Sequence, residues 1–391
     1  MMADSRPVRC TVCLLLALFA DTAVGATRGI WISPEEVQSL PMSGVAWNSV
    51  RTTAYGSWGT PNLSDQTVEH AARALAGALV YVRTGDATLR AKARDAVIEA
   101  KRTLDSSTEL GGARTLSVGR QLGGYVIVAD LIDLESYDPA ADAEFRPWLD
   151  SMRTTILPNS NSNHGLTITL TNESHAMNWS SRCGQSRTAA SLYLGDAADV
   201  ARCDSIFRAW SERPYYPRNA WPKGPTEHYF ARTGDWSGTW ACDSVNWTAI
   251  SPPCVKNGQN YDGAIVDDIS RSGAFTWPPG DTGMMYSWGS LEALFTWAEM
   301  LYRAGHNSYA YGNQALKRSM DFMMRAGWRL PSVDSNAQFV PWIANKRYGT
   351  SYPAPTPIPT AYMMGWTDWT HATGAPPPDL IPPAAITDLA P

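Results

Sequence analysis

Apolar residues recur every three to four positions over residues 67–83, 88–104, 119–134, 141–156, 182–194, 197–212, 285–304 and 308–327, the period of an amphipathic helix. The segments come in pairs. The joints "YVRTGDATLRAKARDAV", "LYLGDAADVARCDSIF" and "LYRAGHNSYAYGNQAL" each set a glycine between an aromatic-bearing segment and the next one, the place where a left-handed residue ends a helix. In "LIDLESYDPAADAEFRPWL" the Asp138-Pro139 step stops one helix and starts another. Short joints imply antiparallel neighbours. The pattern predicts an all-α fold, an α/α toroid or incomplete barrel of antiparallel helical hairpins. An irregular α-helical domain is the alternative with the same periodicity.

Residues 213–284 break the pattern, being rich in Trp, Tyr, Pro, Gly and Asp without a long helical period. So long a stretch inside a helical domain reads as a loop-rich functional insertion. At the other end, "PAPTPIPTAY" and "GAPPPDLIPPAAITDLAP" are proline-rich and extended. Residues 373–391 read as a linker whose ending resembles the first strand of a fibronectin type III module, the start of a truncated one or a chance match. Residues 1–26 place Arg6 and Arg9 before the apolar run "TVCLLLALFA" and end on "AVGA", a secretory signal with cleavage after Ala26. The domain between, 27–372, contains no run long and apolar enough to span a membrane. A secreted or periplasmic protein is expected.

Export gives the cysteines meaning, because loss of the leader leaves Cys183, Cys203, Cys242 and Cys254. A Cys242–Cys254 disulfide would close the loop "CDSVNWTAISPPC"; Cys183 and Cys203 are either paired or simply buried. The 391-residue chain is 44% hydrophobic with a net charge of -5 and no Lys/Arg block, which leaves no electrostatic footprint for nucleic acid. Oligomeric state is not readable. Seventeen Trp and sixteen Tyr against eight Phe favour rings with a polar handle, and many fall in loop-like sequence, where flat donor-bearing rings suit sugar faces.

No zinc-ligand spacing, nucleophile elbow, phosphate loop or dinucleotide fingerprint is present; no metal or cofactor is expected, although scattered Asp leave a calcium site open. Two stretches carry the candidate chemistry. "NESHAMNWSSRCGQSRTAASLYLGD" begins polar and becomes helical at Asn178, Trp179 and Arg182, with His175 just before. "YDGAIVDDISRSGAFTWPPGDTGMMYSWGSLEAL" supplies Tyr261, Arg271, Trp277, Tyr286 and Trp288. An amide, guanidiniums and a phenol suit β-elimination on a uronic-acid polymer. The proton removed there lies next to a carboxylate whose charge must first be neutralised. A base then takes that proton and an acid protonates the departing glycosidic oxygen, tasks that a tyrosine beside an arginine can share.

"RGIWISPEEVQSLP", "MNWSSRCGQSRTAASLYLGDAA", "DGAIVDDISRSG" followed by a Tyr, and "KRYGTSYP…MGWTDWTH" resemble, in this order, the exported alginate lyase-like polysaccharide lyases of the α/α-toroid class, over roughly residues 29–371. The resemblance implies Asn178 as the contact to the substrate carboxylate, Arg271 as the arginine that follows "DG", and Tyr286, opening the next helix, as the proposed base and acid. Such lyases often carry a His beside that Asn or one turn beyond. Here Trp179 and Arg182 stand there, and His175 and His228 are the substitutes. Fifteen residues separate Arg271 from Tyr286, more than related lyases show. Arg182, Trp179, Tyr261, Trp288 and Trp277 are the expected substrate contacts.

Each residue also has a structural reading. Asn178 could be an N-cap, Arg182 part of a salt bridge, Arg271 a partner of Asp267 or Asp268, Tyr286 a core aromatic, and His175 and His228 hydrogen-bonded structural residues. His371 is expected to anchor the C-terminal segment. Two other functions compete: a glycoside hydrolase using a carboxylate pair from Glu227, Asp262, Asp267, Asp268 and Glu292, and a non-catalytic carbohydrate-binding protein.

Overall fold

The computed structural model describes residues 29–213, 230, 240–242, 248–330, 335–358 and 361–372. The leader, the proline-rich tail, His228, Glu227, Trp221, Trp236 and Trp247 lie outside the described residues. The fold is all-α, with one two-residue hairpin, β1 (Val255–Lys256) and β2 (Gln259–Asn260), among the described residues.

The principal helices are α1 (Gly44–Tyr55), α2 (His70–Thr84), α3 (Ala87–Arg102), α4 (Thr115–Leu131), α5 (Pro139–Met152), α6 (Asn178–Leu194), α7 (Ala197–Glu212), α8 (Asp281–Arg303), α9 (Tyr311–Arg325), α10 (Val340–Tyr348) and α11 (Thr367–Thr370). Each periodic segment contains a helix, and the paired joints are where the sequence sets them, although in α9 Gly312, Asn313 and Gln314 take left-handed φ values of 56°, 54° and 57°, so that regular helical geometry follows only after them. Gly85 and Gly195 end α2 and α6 at φ 77° and 73°, the left-handed geometry that favours glycine. Asp138 caps α5 through the Ala141 N–H, with Pro139 at its first position.

Within each pair the first helix is the more deeply buried. Every residue of α4 is buried, whereas α3 and α7 keep exposed faces. Helix α2 packs on α4, α4 on α6 and α6 on α8, while α1 lies against α2 and α10 against α8. Small residues let the central helices approach: a Cβ on Gly119 would stand 2.9 Å from Cys183 Sγ, and one on Gly184 would stand 2.2 Å from the Trp297 ring. Across the α4–α6 seam, Gln185 Nε2 and Ser186 Oγ both donate to the Gly119 carbonyl, at 2.7 and 2.8 Å. Polar α6 is therefore buried without leaving these groups unsatisfied.

Cys242 and Cys254 form a disulfide, and Cys183 and Cys203 are buried free thiols, which resolves the open pairing. His371 is buried 3.8 Å from Glu299 of α8 and so anchors the C-terminal segment. In the insertion, the described residues from 248 to 280 contain the hairpin, a four-residue helix and a 3-10 turn. Among the described residues, no helix is long and apolar enough to cross a membrane.

Candidate functional site

A cavity of about 520 Å³ opens where the first turns of α4, α6 and α8 meet. Helix α4 contributes Arg114, Leu116 and Arg120; α6 contributes Asn178, Trp179 and Arg182; α8 contributes Met285, Tyr286 and Gly289. Gln66 and Thr67, on the approach to α2, join from one side, Ser335 and Asn336 from the start of a 3-10 helix (Ser335–Phe339), and Tyr362 from a loop. Among the described lining residues three are arginines and none is a carboxylate. The N-terminal ends of helices add partial positive charge, so the cavity suits an anion.

Asn178 is not the cap of its helix. Met177, extended at φ -142° and ψ 177°, holds that position, and no side chain caps α6. Asn178 is the first helical residue, and its side chain lines the cavity. The capping role passes to a carboxylate from another segment: Asp268 accepts the Asn178 N–H at 3.4 Å and the hydroxyl of Ser290 from α8. Asp268 is fully buried. Burial pushes its carboxyl up to about 7, although the Ser290 hydroxyl, the Arg271 guanidinium and the Asn178 N–H all favour the charged form.

Arg182, one turn beyond Asn178, reaches the same cavity. Its Nη2 lies 3.5 Å from Glu292 Oε2, and both side chains are buried. The space it occupies exists because position 289 is glycine: a Cβ there would stand 2.8 Å from Arg182 Nη2.

Tyr286 is half-buried in the second turn of α8. The Arg271 guanidinium sits 5.3 Å over its ring, a cation–π distance, and Arg271 Nη2 lies 3.9 Å from Met177 Sδ. Arg271 thus connects the start of α6 with Tyr286 but is not among the described lining residues.

Other expected contacts fall elsewhere. Trp288 and Tyr261 are fully buried and offer no face to a polymer; Trp288 packs edge-on against Trp328 and Tyr261 against Phe322. Their assignment as substrate contacts is corrected to the core. Trp277 is half-buried with its ring edge-on to Phe322, 5.9 Å away, and does not line the cavity. His175 is buried behind the wall, edge-on to His164 at 5.6 Å, and His164 in turn lies 5.4 Å from the Trp179 ring. Of the two histidine substitutes, His175 is buried and absent from the described cavity lining, and His228 lies outside the described residues.

Sequence reasoning missed Arg114, Arg120 and Tyr362. A signal for Arg120 was present: it is a single cation inside the otherwise uncharged run "TLSVGRQLGGYVIVA", where a buried charge requires a purpose. Its Nη1 donates to the Gln66 carbonyl at 2.9 Å, and its guanidinium lies 5.2 Å over Tyr362. No protein-family model and no curated protein matches the chain.

Proposed function

We propose that the protein is a polysaccharide lyase that cleaves a uronic-acid-containing polymer of the alginate or glucuronan type by β-elimination. The observation that carries this reading is an acid-free cavity, among its described residues, that gathers Asn178, Arg182 and Tyr286 from two helices. Elimination needs the charge on the substrate carboxylate neutralised before the adjacent proton can leave. Asn178 and Arg182 supply the amide and guanidinium donors for that. Tyr286 takes the proton and returns it to the departing glycosidic oxygen, with Arg271 over its ring holding it in place. Where related lyases carry a histidine, this chain uses Trp179 as a wall and Arg182 as the second donor.

The neighbour relations support the toroid. From α1 through α2, α4, α6, α8 and α10 each helix packs on the next, and α11 contacts both α10 and α1, the succession that closes a ring of hairpins. The Cys242–Cys254 disulfide suits the oxidising compartment that the leader sequence points to. A hydrolase finds less support. Asp262 is paired with Arg318, Asp267 and Asp268 are buried, Glu292 is buried against Arg182, and none of them lines the cavity.

The test is an absorbance screen across alginate, polyguluronate, glucuronan and hyaluronan, since elimination leaves a conjugated double bond in the product. Ultraviolet absorbance should rise on at least one polymer, and Tyr286→Phe should lower that rate by about 10²–10⁴-fold without changing the melting temperature. Depolymerisation without absorbance would establish the hydrolase. No depolymerisation of any uronan would leave a binding protein.

A further inference from the structure

Arg271 reaches Tyr286 from a short turn, and whatever fixes that turn decides where the guanidinium stands. The turn is the 3-10 helix Ser270–Ser272, and no side chain caps it. Just before it, buried Asp268 is tied to the Asn178 N–H of α6 and the Ser290 hydroxyl of α8. At its end Gly273 turns the chain at φ 82° and ψ -132°, and the Gly273 carbonyl accepts the indole N–H of Trp240 at 2.6 Å. Trp240 is fully buried, its ring 4.9 Å from that of Phe275 and 6.1 Å from that of Tyr261. A buried indole N–H needs an acceptor, so the ring and the turn hold each other.

Trp240 is itself anchored. Two residues on, Cys242 is bonded to Cys254, whose carbonyl accepts the Tyr261 N–H at 2.9 Å. Between them in sequence, the Ala241 carbonyl accepts from Lys256 of β1. A line of contacts therefore runs from the disulfide through Trp240 and Gly273 to Arg271, whose guanidinium lies 5.3 Å over the Tyr286 ring. Neither Trp240 nor either cysteine is among the described lining residues of the cavity. What such a line can change is geometry, and proton transfer depends steeply on the placement of the reacting group.

We infer that Trp240 is a positioning residue for the elimination: held by the disulfide, its indole fixes the turn that places Arg271 over Tyr286. The effect on turnover rests on the lyase reading, and the test separates the two. Trp240→Phe keeps a ring in the cluster and removes the N–H. On a polymer that gives an absorbance rise, kcat should fall by about tenfold, the size of one partly desolvated cation–π contact, with KM within about twofold of wild type. In an Arg271→Gln background the same substitution should lower kcat by less than about twofold, because the residue it acts through is already gone. Cys242→Ser together with Cys254→Ser should lower kcat in the same direction at unchanged KM, and this pair carries the test if Trp240→Phe does not fold.

Hydrogen exchange read by mass spectrometry on the substrate-free protein gives an answer that needs no turnover. Peptides covering residues 269–273 should exchange faster in Trp240→Phe and in the cysteine pair than in wild type, while those of α4 keep their rates. An equal loss of kcat with and without Arg271, a raised KM at unchanged kcat, or unchanged exchange over 269–273 overturns the inference. If wild type cleaves a uronan with absorbance gain and neither variant alters kcat, the inference fails while the lyase reading stands. If no uronan is cleaved and exchange over 269–273 still responds, the lyase reading fails and the placement of the Arg271 turn by Trp240 stands.

Discussion

The two ends of α4, α6 and α8 use charge in opposite ways. Their C-terminal ends surround a smaller cavity of about 200 Å³ lined by Asp130, Asp133, Glu135, Arg146 and Arg303. There the charges are engaged with the chain itself. Asp130 Oδ2 accepts the N–H groups of Gly29 and Ile30 at 2.9 and 3.0 Å, and Arg303 donates to the Gly29 carbonyl and pairs with Glu36. Arg146 lies 3.9 Å from Glu135 and 4.0 Å from Asp142. At the N-terminal ends, three arginines face a larger cavity with no acid among its described lining. At the C-terminal ends paired charge fastens Gly29 and Ile30 to the helices; at the N-terminal ends guanidiniums face the cavity while Glu292, the carboxylate paired with Arg182, stands behind the wall. Charge content does not separate the two ends, but the placement of the carboxylates does: in the lining at one end, and behind the described lining at the other.

The strongest challenge to this contrast is a substitution at the C-terminal end that costs stability and spares binding. Glu299, near the end of α8, is fully buried; it accepts from Arg347 Nε at 2.8 Å and from the Tyr309 hydroxyl at 2.8 Å. Burial opposes its ionisation, but Arg347 more than offsets this and holds the carboxyl well below the usual range. Burial also keeps His371 neutral, down to about 4. Glu299→Ala strands Arg347 as a buried charge and should cost about 3–5 kcal/mol in denaturant unfolding, with uronate affinity unchanged. Because the folded value is depressed, the contribution of Glu299 is present above its unfolded value of 4.5 and is lost as pH falls. The gap between wild type and variant should therefore narrow below about pH 4.5. A loss of affinity at 25 °C would break the division of labour between the ends.

A buried carboxylate at the other end should show the opposite sign. Asp268 is raised by burial to about 7 from an ordinary 3.8, so its contribution to stability is present below the unfolded value and is lost as pH rises through the folded one. Asp268→Asn removes that slope. Relative to wild type the variant should gain stability from pH 4 to pH 7, by on the order of 3 kcal/mol at most. The groups that act on Asp268 are Asp267 and Arg271 from its own segment, the Asn178 N–H from α6 and the Ser290 hydroxyl from α8. Arg182 and Glu292, the nearby ionisable pair on those two helices, balance each other. A difference between wild type and variant that stays constant from pH 4 to 8 would show that Asp268 does not change charge in this window.

The helices were legible because their signal is local: periodicity and the Gly85, Gly195 and Asp138-Pro139 joints lie within one turn of what they determine. Their starts were less so. Helices α4 and α8 begin four residues before their periodic segments, after Arg114 and Gly280, neither of which makes a side-chain cap. In the site, Asn178 and Arg182 were legible together because they lie four apart on one face. Tyr286 and Trp288 were both assigned to substrate although two residues on a helix point about 200° apart. The structure turns Tyr286 toward the cavity with Gly289, three residues on, and Trp288 into the core. Arg114 and Tyr362 come to line one cavity only through the long-range packing of the chain, and no local pattern in either segment announces the other.

The smallest expected effect is also the most specific to the cationic end. Gly289 lies inside α8, where alanine would ordinarily stabilise the helix by about 1 kcal/mol. Its added Cβ would stand 2.8 Å from Arg182 Nη2, closer than such contacts allow. The guanidinium must move, and its tie to Glu292 at 3.5 Å limits where it can go. Gly289→Ala should leave the melting temperature within a few degrees of wild type, because helix propensity and crowding oppose each other. Uronate affinity should fall by about fivefold, a loss of ~1 kcal/mol, because the displaced Arg182 no longer aims its free Nε at the ligand. Stability and binding would then move independently at a single glycine, as expected where packing and charge serve different ends. Unchanged affinity with a preserved fold would remove Arg182 from the ligand contacts and leave Asn178 as the sole donor on that wall.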